Sequence, residues 1–216
     1  MTALDAARQI DAVLFDFDGT LTAPGSIDFD VIREAVGCPK GRPVLEFIAE
    51  MPSEHERAEA ARILEQFETA AARRSVPNDG AEEIVAYIRD RNVKIGIISR
   101  NSLASIEIAL RNFESVGMAD FDVVLSRDDP FNPKPSPEGI LAAAARLGTT
   151  AAQVLVVGDF VFDIEAGHNA GALTAYLTNR NPAHAWLRPP DFTIRSLREL
   201  KEILDGRNPE PGPPGQ

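Results

Sequence analysis

Cysteine is nearly missing from this chain, Cys38 being the only one in 216 residues. A single thiol excludes an internal disulfide framework and any zinc cluster built on cysteine pairs. In the loop before Pro39 it reads as a small packed residue. Positive charge is also scarce, with 22 Lys and Arg against 33 Asp and Glu and a formal charge of −11. Nucleic acid and anionic membranes both call for a basic surface, so neither is an expected partner. Long apolar runs are missing as well, and none approaches the length of a spanning helix. The segment Met1 to Asp11 carries Asp5 and Arg8 without an apolar core, so it is not expected to be a secretory signal, and a cytoplasmic location is expected. Internal repeats are not found.

The composition that remains is that of an ordinary soluble protein, 44% apolar, and the length suits one substantial core with room for an insertion. Two short apolar runs, Ala12-Val13-Leu14-Phe15 and Val154-Leu155-Val156-Val157, are too short for helices and rich in β-favouring residues, so each predicts a buried strand. Between about Ala23 and Pro77 no strand pattern is evident. Helices are expected there over Asp28 to Val36, Pro43 to Ala49, and from a Ser53/Glu56 capping box to about Arg73, with Ala60, Ile63, Leu64, Phe67, Ala70 and Ala71 at helical spacing.

From Asp79 onward helices and strands alternate. A helix capped by Asp79, with Glu82 at its third position, precedes the strand Val93 to Ile98. A helix from Ser102 to about Asn112, a strand near Phe121 to Leu125 and a helix from Pro137 to Leu147 follow. After Val154 to Val157 come a helix Ile164 to Ala170, strands Leu173 to Leu177 and Phe192 to Ile194, and a helix Ser196 to Leu204. Such alternation implies a Rossmann-like three-layer α/β/α core with a parallel sheet, and a small all-helical cap inserted after the first strand. The expected division is residues 1–22 and 78–206 for the core, 23–77 for the cap, and a disordered Pro-rich tail at 207–216.

In an open parallel sheet, ligands bind beyond the carboxyl ends of the strands. The polar residues that follow the apolar runs are Asp16 and Asp18, then Ser99, Arg100 and Asn101, then Asp159 and Asp163, with Lys134 in the loop Asn132-Pro133-Lys134-Pro135. All can face one crevice. Four carboxylates gathered there repel one another unless a cation lies among them. Together with a hydroxyl and an ammonium, they are the set that metal-assisted phosphoryl transfer needs. Each has a plainer use: Asp16 and Asp18 as turn or cap residues, Ser99 and Asn101 as caps of the next helix, Lys134 as a solvated charge, Gly158-Asp159 as a turn. Four such coincidences in order are less economical than one site. His55, His168 and His184 are read as structural or surface residues, and Trp186 as packing.

The motifs Asp16-Phe17-Asp18-Gly19-Thr20-Leu21, Ile98-Ser99-Arg100-Asn101, Lys134-Pro135-Ser136-Pro137 and Gly158-Asp159-Phe160-Val161-Phe162-Asp163-Ile164-Glu165-Ala166-Gly167 resemble those of the haloacid dehalogenase superfamily, specifically its phosphatase branch. The likeness runs over nearly the whole chain and is nearest to phosphoglycolate phosphatases and their relatives. The resemblance implies that Asp16 is the nucleophile and becomes an aspartyl-phosphate. Asp18 protonates the leaving alkoxide and later deprotonates water. Mg2+ is held by the Asp16 carboxylate, the Asp18 carbonyl, Asp159 and, through water, Asp163. Ser99, with amides near Arg100 and with Asn101, contacts the phosphoryl group. Lys134 offsets its charge, and Gly19 and Thr20 shape the turn beside it. The implied partner is a small phosphorylated metabolite.

Dehalogenation needs neither a metal nor an acid at Asp18, so the residues favour a phosphate ester. A phosphomutase, or a non-catalytic module binding a phospho-ligand or a protein, remains open alongside the hydrolase. The chain departs from many relatives at Thr22-Ala23-Pro24-Gly25-Ser26, where an acidic residue and a serine commonly follow the first motif. Pro24-Gly25 reads as a hinge turn instead. Arg33, Lys40, Arg42 and His55 are the candidate specificity groups on the insertion.

Overall fold

The computed structural model describes residues 9–179 and 186–206. The strands are β1 (Ala12–Phe15), β2 (Lys94–Ile98), β3 (Val123–Leu125), β4 (Val154–Gly158), β5 (Leu173–Leu177) and β6 (Phe192–Ile194). The helices are α1 (Phe29–Val36), α2 (Val44–Ala49), α3 (Glu54–Ala72), α4 (Ala81–Asp90), α5 (Leu103–Leu110), α6 (Glu138–Arg146), α7 (Val161–Ala170) and α8 (Leu200–Leu204). His184 and the tail 207–216 lie outside the described residues.

The strands form one parallel sheet in the order β3-β2-β1-β4-β5-β6. Every residue of β1 is fully buried, as a central strand covered on both faces must be. Alternation along it separates the two cores. Val13 and Phe15 join Ile84 and Ile88 of α4, Ile106 of α5 and Leu200 of α8, while Ala12 and Leu14 join Ile140 and Ala143 of α6 and Ala166 of α7. Each large side chain buried this way contributes roughly 1.5–3 kcal/mol. The chain therefore has the three-layer α/β/α architecture expected from its pattern.

Helices α1 to α3 stand apart from the sheet around a cluster of their own, in which Ile32, Val36, Val44, Ile48 and Leu64 enclose Cys38. The Ser53/Glu56 capping box forms, with the Glu56 amide donating to Ser53 Oγ at 3.2 Å and the Ser53 amide to Glu56 Oε2 at 3.1 Å. Two short connections tie this layer to β1 and α4. Ala23 N donates to Val76 O at 2.9 Å, and Asn78 N to Leu21 O at 2.8 Å. A gap of about 280 Å³, walled by Leu45, Ile48 and Leu64 on one side and Ile98, Leu125 and Phe131 on the other, lies between the helical layer and the sheet.

Some boundaries differ from the sequence expectation. Gly80, not Asp79, caps α4 from the left-handed region. Asp79 pairs with Arg198, and Glu82 accepts from the amides of Glu114 and Ser115, both at 2.8 Å. These are long-range partners that local spacing does not reveal. Helix α7 begins at Val161 rather than Ile164, which puts Asp163 in its first turn. The segment expected as one helix from Ser196 is a tight turn at Leu197–Glu199 followed by α8. Trp186 packs edge-on against Tyr176, with ring centroids 4.8 Å apart.

Candidate active site

The sheet order reverses at β1. The chain moves outward through β2 and β3 on one side and through β4, β5 and β6 on the other. A crevice forms at such a switch point beyond the strand ends. Asp16 follows β1 directly, its amide held by Val157 O of β4 at 2.8 Å. Asp159 follows β4, and Asp163 rides on α7. Carboxylate oxygens of these three residues lie within 4.8 Å of one another. Lys134 reaches in from the loop before α6 and places Nζ 2.5 Å from both Asp16 Oδ1 and Asp163 Oδ1.

The close approach of the two aspartate-bearing strand ends depends on small residues. Gly19 has φ +78°, and a Cβ there would run into the Asp159 carboxylate. A Cβ on Gly158 would run into the side chain of Asp163. Only glycine admits both the left-handed turn and this approach. The turn is held from a distance by two asparagines that the sequence reading did not select. Asn78 Nδ2 donates to Thr20 O at 3.0 Å and to Gly19 O at 3.2 Å. Asn179 Nδ2 donates to Gly19 O and, at 3.1 Å, to Asp159 Oδ2. Asn78 lies in the connection before α4 and Asn179 just after β5, where polar residues are ordinary, so spacing alone carried no signal for them.

Burial, and after it charge crowding, displaces the ionisation of the group. Burial, then the neighbouring Asp16, pushes Asp18 up to about 7, although the Asn101 amide opposes the shift. Burial, with Asp16 and Asp163 adding to it, pushes Asp159 up to about 8. Burial and Asp16 push Asp163 up to about 6. Burial alone would lower Lys134, but the carboxylates of Asp16 and Asp163 outweigh it and hold the ammonium protonated well above its usual range. A donor set made only of carboxylate oxygens, carrying more negative charge than one ammonium offsets, suits a hard divalent cation such as Mg2+. Asp16, Asp159 and Asp163 could hold it.

The remaining expected residues reach this place in different ways. Ser99 is buried, lines the cavity and accepts at Oγ from the Asn101 amide at 3.1 Å. The Asn101 side chain donates to Asp18, and the cap of α5 is Ser102 instead. Thr20 is fully buried and donates to Asp16 Oδ2 at 3.4 Å. Arg100 turns toward the helical layer. Its Nη2 bonds both Glu46 oxygens at 2.8 and 2.6 Å, its Nη1 bonds Lys134 O at 2.9 Å, and its guanidinium lies 5.0 Å from the ring centre of Phe162. A second arginine, Arg127, bonds Glu68 of α3 at 2.5 and 2.9 Å and Arg100 O at 3.3 Å. Glu46, Glu68 and Arg127 were not selected from the sequence, because partners this far apart in the chain share no spacing. A cavity of about 470 Å³ extends from the aspartates to the helical layer. Of the four specificity candidates only Arg33 lines it. Lys40 and His55 are exposed elsewhere, and Arg42 pairs with Glu50.

Such an arrangement defines a class of three-layer α/β enzymes whose polar groups converge at the sheet's switch point beneath a layer of helices. Within it, the chain belongs to the haloacid dehalogenase-like hydrolases, whose family model matches residues 10–171. It is 31% identical over 207 residues to an uncharacterized hydrolase of Saccharomyces cerevisiae, covering 95% of this chain and 94% of that one. It is 30% identical to the N-acetylmuramic acid 6-phosphate phosphatase of Pseudomonas aeruginosa, covering 91% of this chain and 96% of that one. The fold is that of a hydrolase from Pseudomonas syringae, with a TM-score of 0.73 at 20% identity over 90% of this chain and 97% of that one. The chain is a hydrolase, and its relatives include phosphatases.

Proposed function

We propose that the protein is a magnesium-dependent phosphatase that hydrolyses a small phosphomonoester through an aspartyl-phosphate, with residues 23–77 acting as a cap over the site. A soluble metabolite and a cytoplasmic setting accord with the acidic composition. The observation that carries the reading is the joint position of Asp16, Asp18, Lys134, Asp159 and Asp163 at one strand-end crevice. Bound Mg2+, held by Asp16, Asp159 and Asp163 with the Asp18 carbonyl, would supply positive charge against the phosphoryl oxygens.

The chain's own groups account for the proton and bond changes. A carboxylate oxygen of Asp16 attacks phosphorus, and the bond from phosphorus to the ester oxygen breaks. Asp18, held near 7 by burial and by Asp16, gives its proton to the departing alkoxide and is then the base for the water that attacks the phosphoenzyme. A group that titrates near working pH performs both transfers well. That second attack frees inorganic phosphate and restores Asp16. Lys134 keeps its charge throughout and offsets that of Asp16 and of the phosphoryl group. Ser99, in the cavity wall, donates to a phosphoryl oxygen. Phosphate release from a panel of small phosphomonoesters is expected with Mg2+ and not with excess chelator, and a panel silent in both conditions would overturn the reading.

A pH dependence follows from the same carboxylates. Asp18, Asp159 and Asp163 titrate in the folded protein at about 7, 8 and 6, and in the unfolded chain near 3.9. Between about pH 4 and pH 8 the folded state therefore binds more protons than the unfolded one, so stability without metal falls as pH rises through that window. Mg2+ binding requires the ionised carboxylates and displaces those protons. The expected result is a larger rise in Tm on adding Mg2+ at pH 8 than at pH 5.5, measured by calorimetry against a chelator control. Equal rises would show that the cluster does not receive the ion.

The Arg100–Glu46 pair joins the cap to Lys134. Glu46→Gln is expected to raise KM with kcat little changed, because it loosens the cap alone. Arg100→Gln is expected to lower kcat as well, because it also releases the Lys134 carbonyl. Their combined effect on kcat/KM should fall short of the sum by about 0.5–3 kcal/mol, as for residues in contact. Simple additivity in steady-state kinetics would show that the two do not act as a unit.

A further inference from the structure

The cavity beyond the aspartates is built mainly from carbon. Ile27, Phe29, Val44 and Leu45 line it from the helical layer, and Phe160 and Phe162 from the start of α7. Phe29 and Phe160 remain 49% and 48% exposed, and Phe160 meets Phe162 edge-on at 5.1 Å. Aromatic rings half-exposed at the wall of a concave site offer apolar faces to a ligand. The cationic side chains that line this cavity, among the described residues, are already committed. Lys134 serves Asp16 and Asp163, Arg100 serves Glu46 and the Lys134 carbonyl, and Arg33 serves Asp30 at 2.8 Å and the Arg42 carbonyl at 3.1 Å. The carboxylate of Glu68, also in the cavity wall, is likewise engaged, by Arg127.

Among the described residues, a second anionic group on the substrate would have to compete with Asp30, Glu46, Asp16 and Asp163 for the cations that line this space. Transfer of an unpaired charge into such surroundings is costly, whereas an apolar ring gains from the same walls. We propose that the leaving group of the ester is an uncharged alcohol with an apolar or aromatic face, seated between Phe29 and the Phe160–Phe162 pair. Substrates with a second phosphate or a carboxylate are disfavoured. The inference rests on the phosphatase reading and names the substrate class of that site. The products are that alcohol and inorganic phosphate.

Benzyl phosphate and 4-carboxybenzyl phosphate differ in charge far from the reacting bond and so compare the leaving-group pocket at nearly constant chemistry. With Mg2+, kcat/KM for benzyl phosphate should exceed that for the carboxylated ester by at least about tenfold, the scale of one poorly met charge. Phe29→Lys, a change at a half-exposed position, should move that ratio toward the carboxylated ester by about as much. Binding of both esters to Asp16→Asn, measured by calorimetry, reads the same preference without turnover. Equal or better use of the carboxylated ester, or a ratio unmoved by Phe29→Lys, would overturn the substrate class while leaving the phosphatase reading intact. Selective binding of benzyl phosphate with no phosphate released by the native protein from either ester or from any member of the phosphomonoester panel would uphold the pocket and remove the phosphatase reading.

Discussion

Asp16→Asn is expected to lower kcat by at least about four orders of magnitude, the scale seen when a nucleophile that works as part of a unit is removed. The amide is nearly isosteric but cannot attack phosphorus or carry it. Stability should not fall with activity, and at pH 8 it should rise. Asp16 is a leading charge acting on Asp18, Asp159 and Asp163, and in each case it makes ionisation harder. Its removal lets the other three shed protons at lower pH. The two readouts are turnover of a substrate found in the panel and thermal unfolding of the metal-free protein. A mutant with near-native turnover would exclude Asp16 as nucleophile, and a large loss of Tm would mean that the Lys134 contact matters more to folding than the repulsion does.

Lys134→Met is expected to have the larger effect on the fold. The ammonium is almost fully buried and touches both Asp16 and Asp163. Breaking a buried ion pair from one side leaves the partner charge uncompensated, at a cost of about 3–5 kcal/mol. The carboxylates can escape part of that cost by taking protons, so the loss should be greater at pH 8 than at pH 5.5. Mg2+ should restore some of the stability, because it returns positive charge to the same oxygens, while kcat remains far below the native value. Denaturant unfolding at the two pH values, with and without Mg2+, checks this. A loss independent of pH would point to packing of the four-carbon stem rather than to charge.

How much of this was legible beforehand depends on the range of the interaction. Ala12 to Phe15 announced a strand because four consecutive apolar residues have no other economical place, and Ser53 with Glu56 announced a helix start because a capping box closes within one turn. Asp16, Asp18 and Asp159 stood out because each sits just beyond a strand whose kind could be read, Asp163 because it follows Asp159 closely, and Lys134 because its loop leads into a readable helix. Phe29 and Phe160 did not stand out, since an exposed aromatic has no pattern until a cavity lies beside it. The expected Asp79 cap went astray for a related reason: its side chain found Arg198, far along the chain, in preference to the nearer helix end.

What the sequence determined alone is therefore the local part of the protein. It set the alternation of strands and helices, the helical insertion, and the acidic residues at strand ends, because periodicity, capping and turn chemistry act over a few residues and are written contiguously. Tertiary structure decided the rest. The reversal of strand order at β1 brings residues 16 and 159 together. Asn78 and Asn179 brace one turn from positions 101 residues apart in the chain. Arg100 and Arg127 grip Glu46 and Glu68 across the gap between layers. These depend on which strand lies beside which, and on packing that brings side chains more than fifty residues apart into contact, where buried charge and hydrogen-bond satisfaction rather than local preference select the partner.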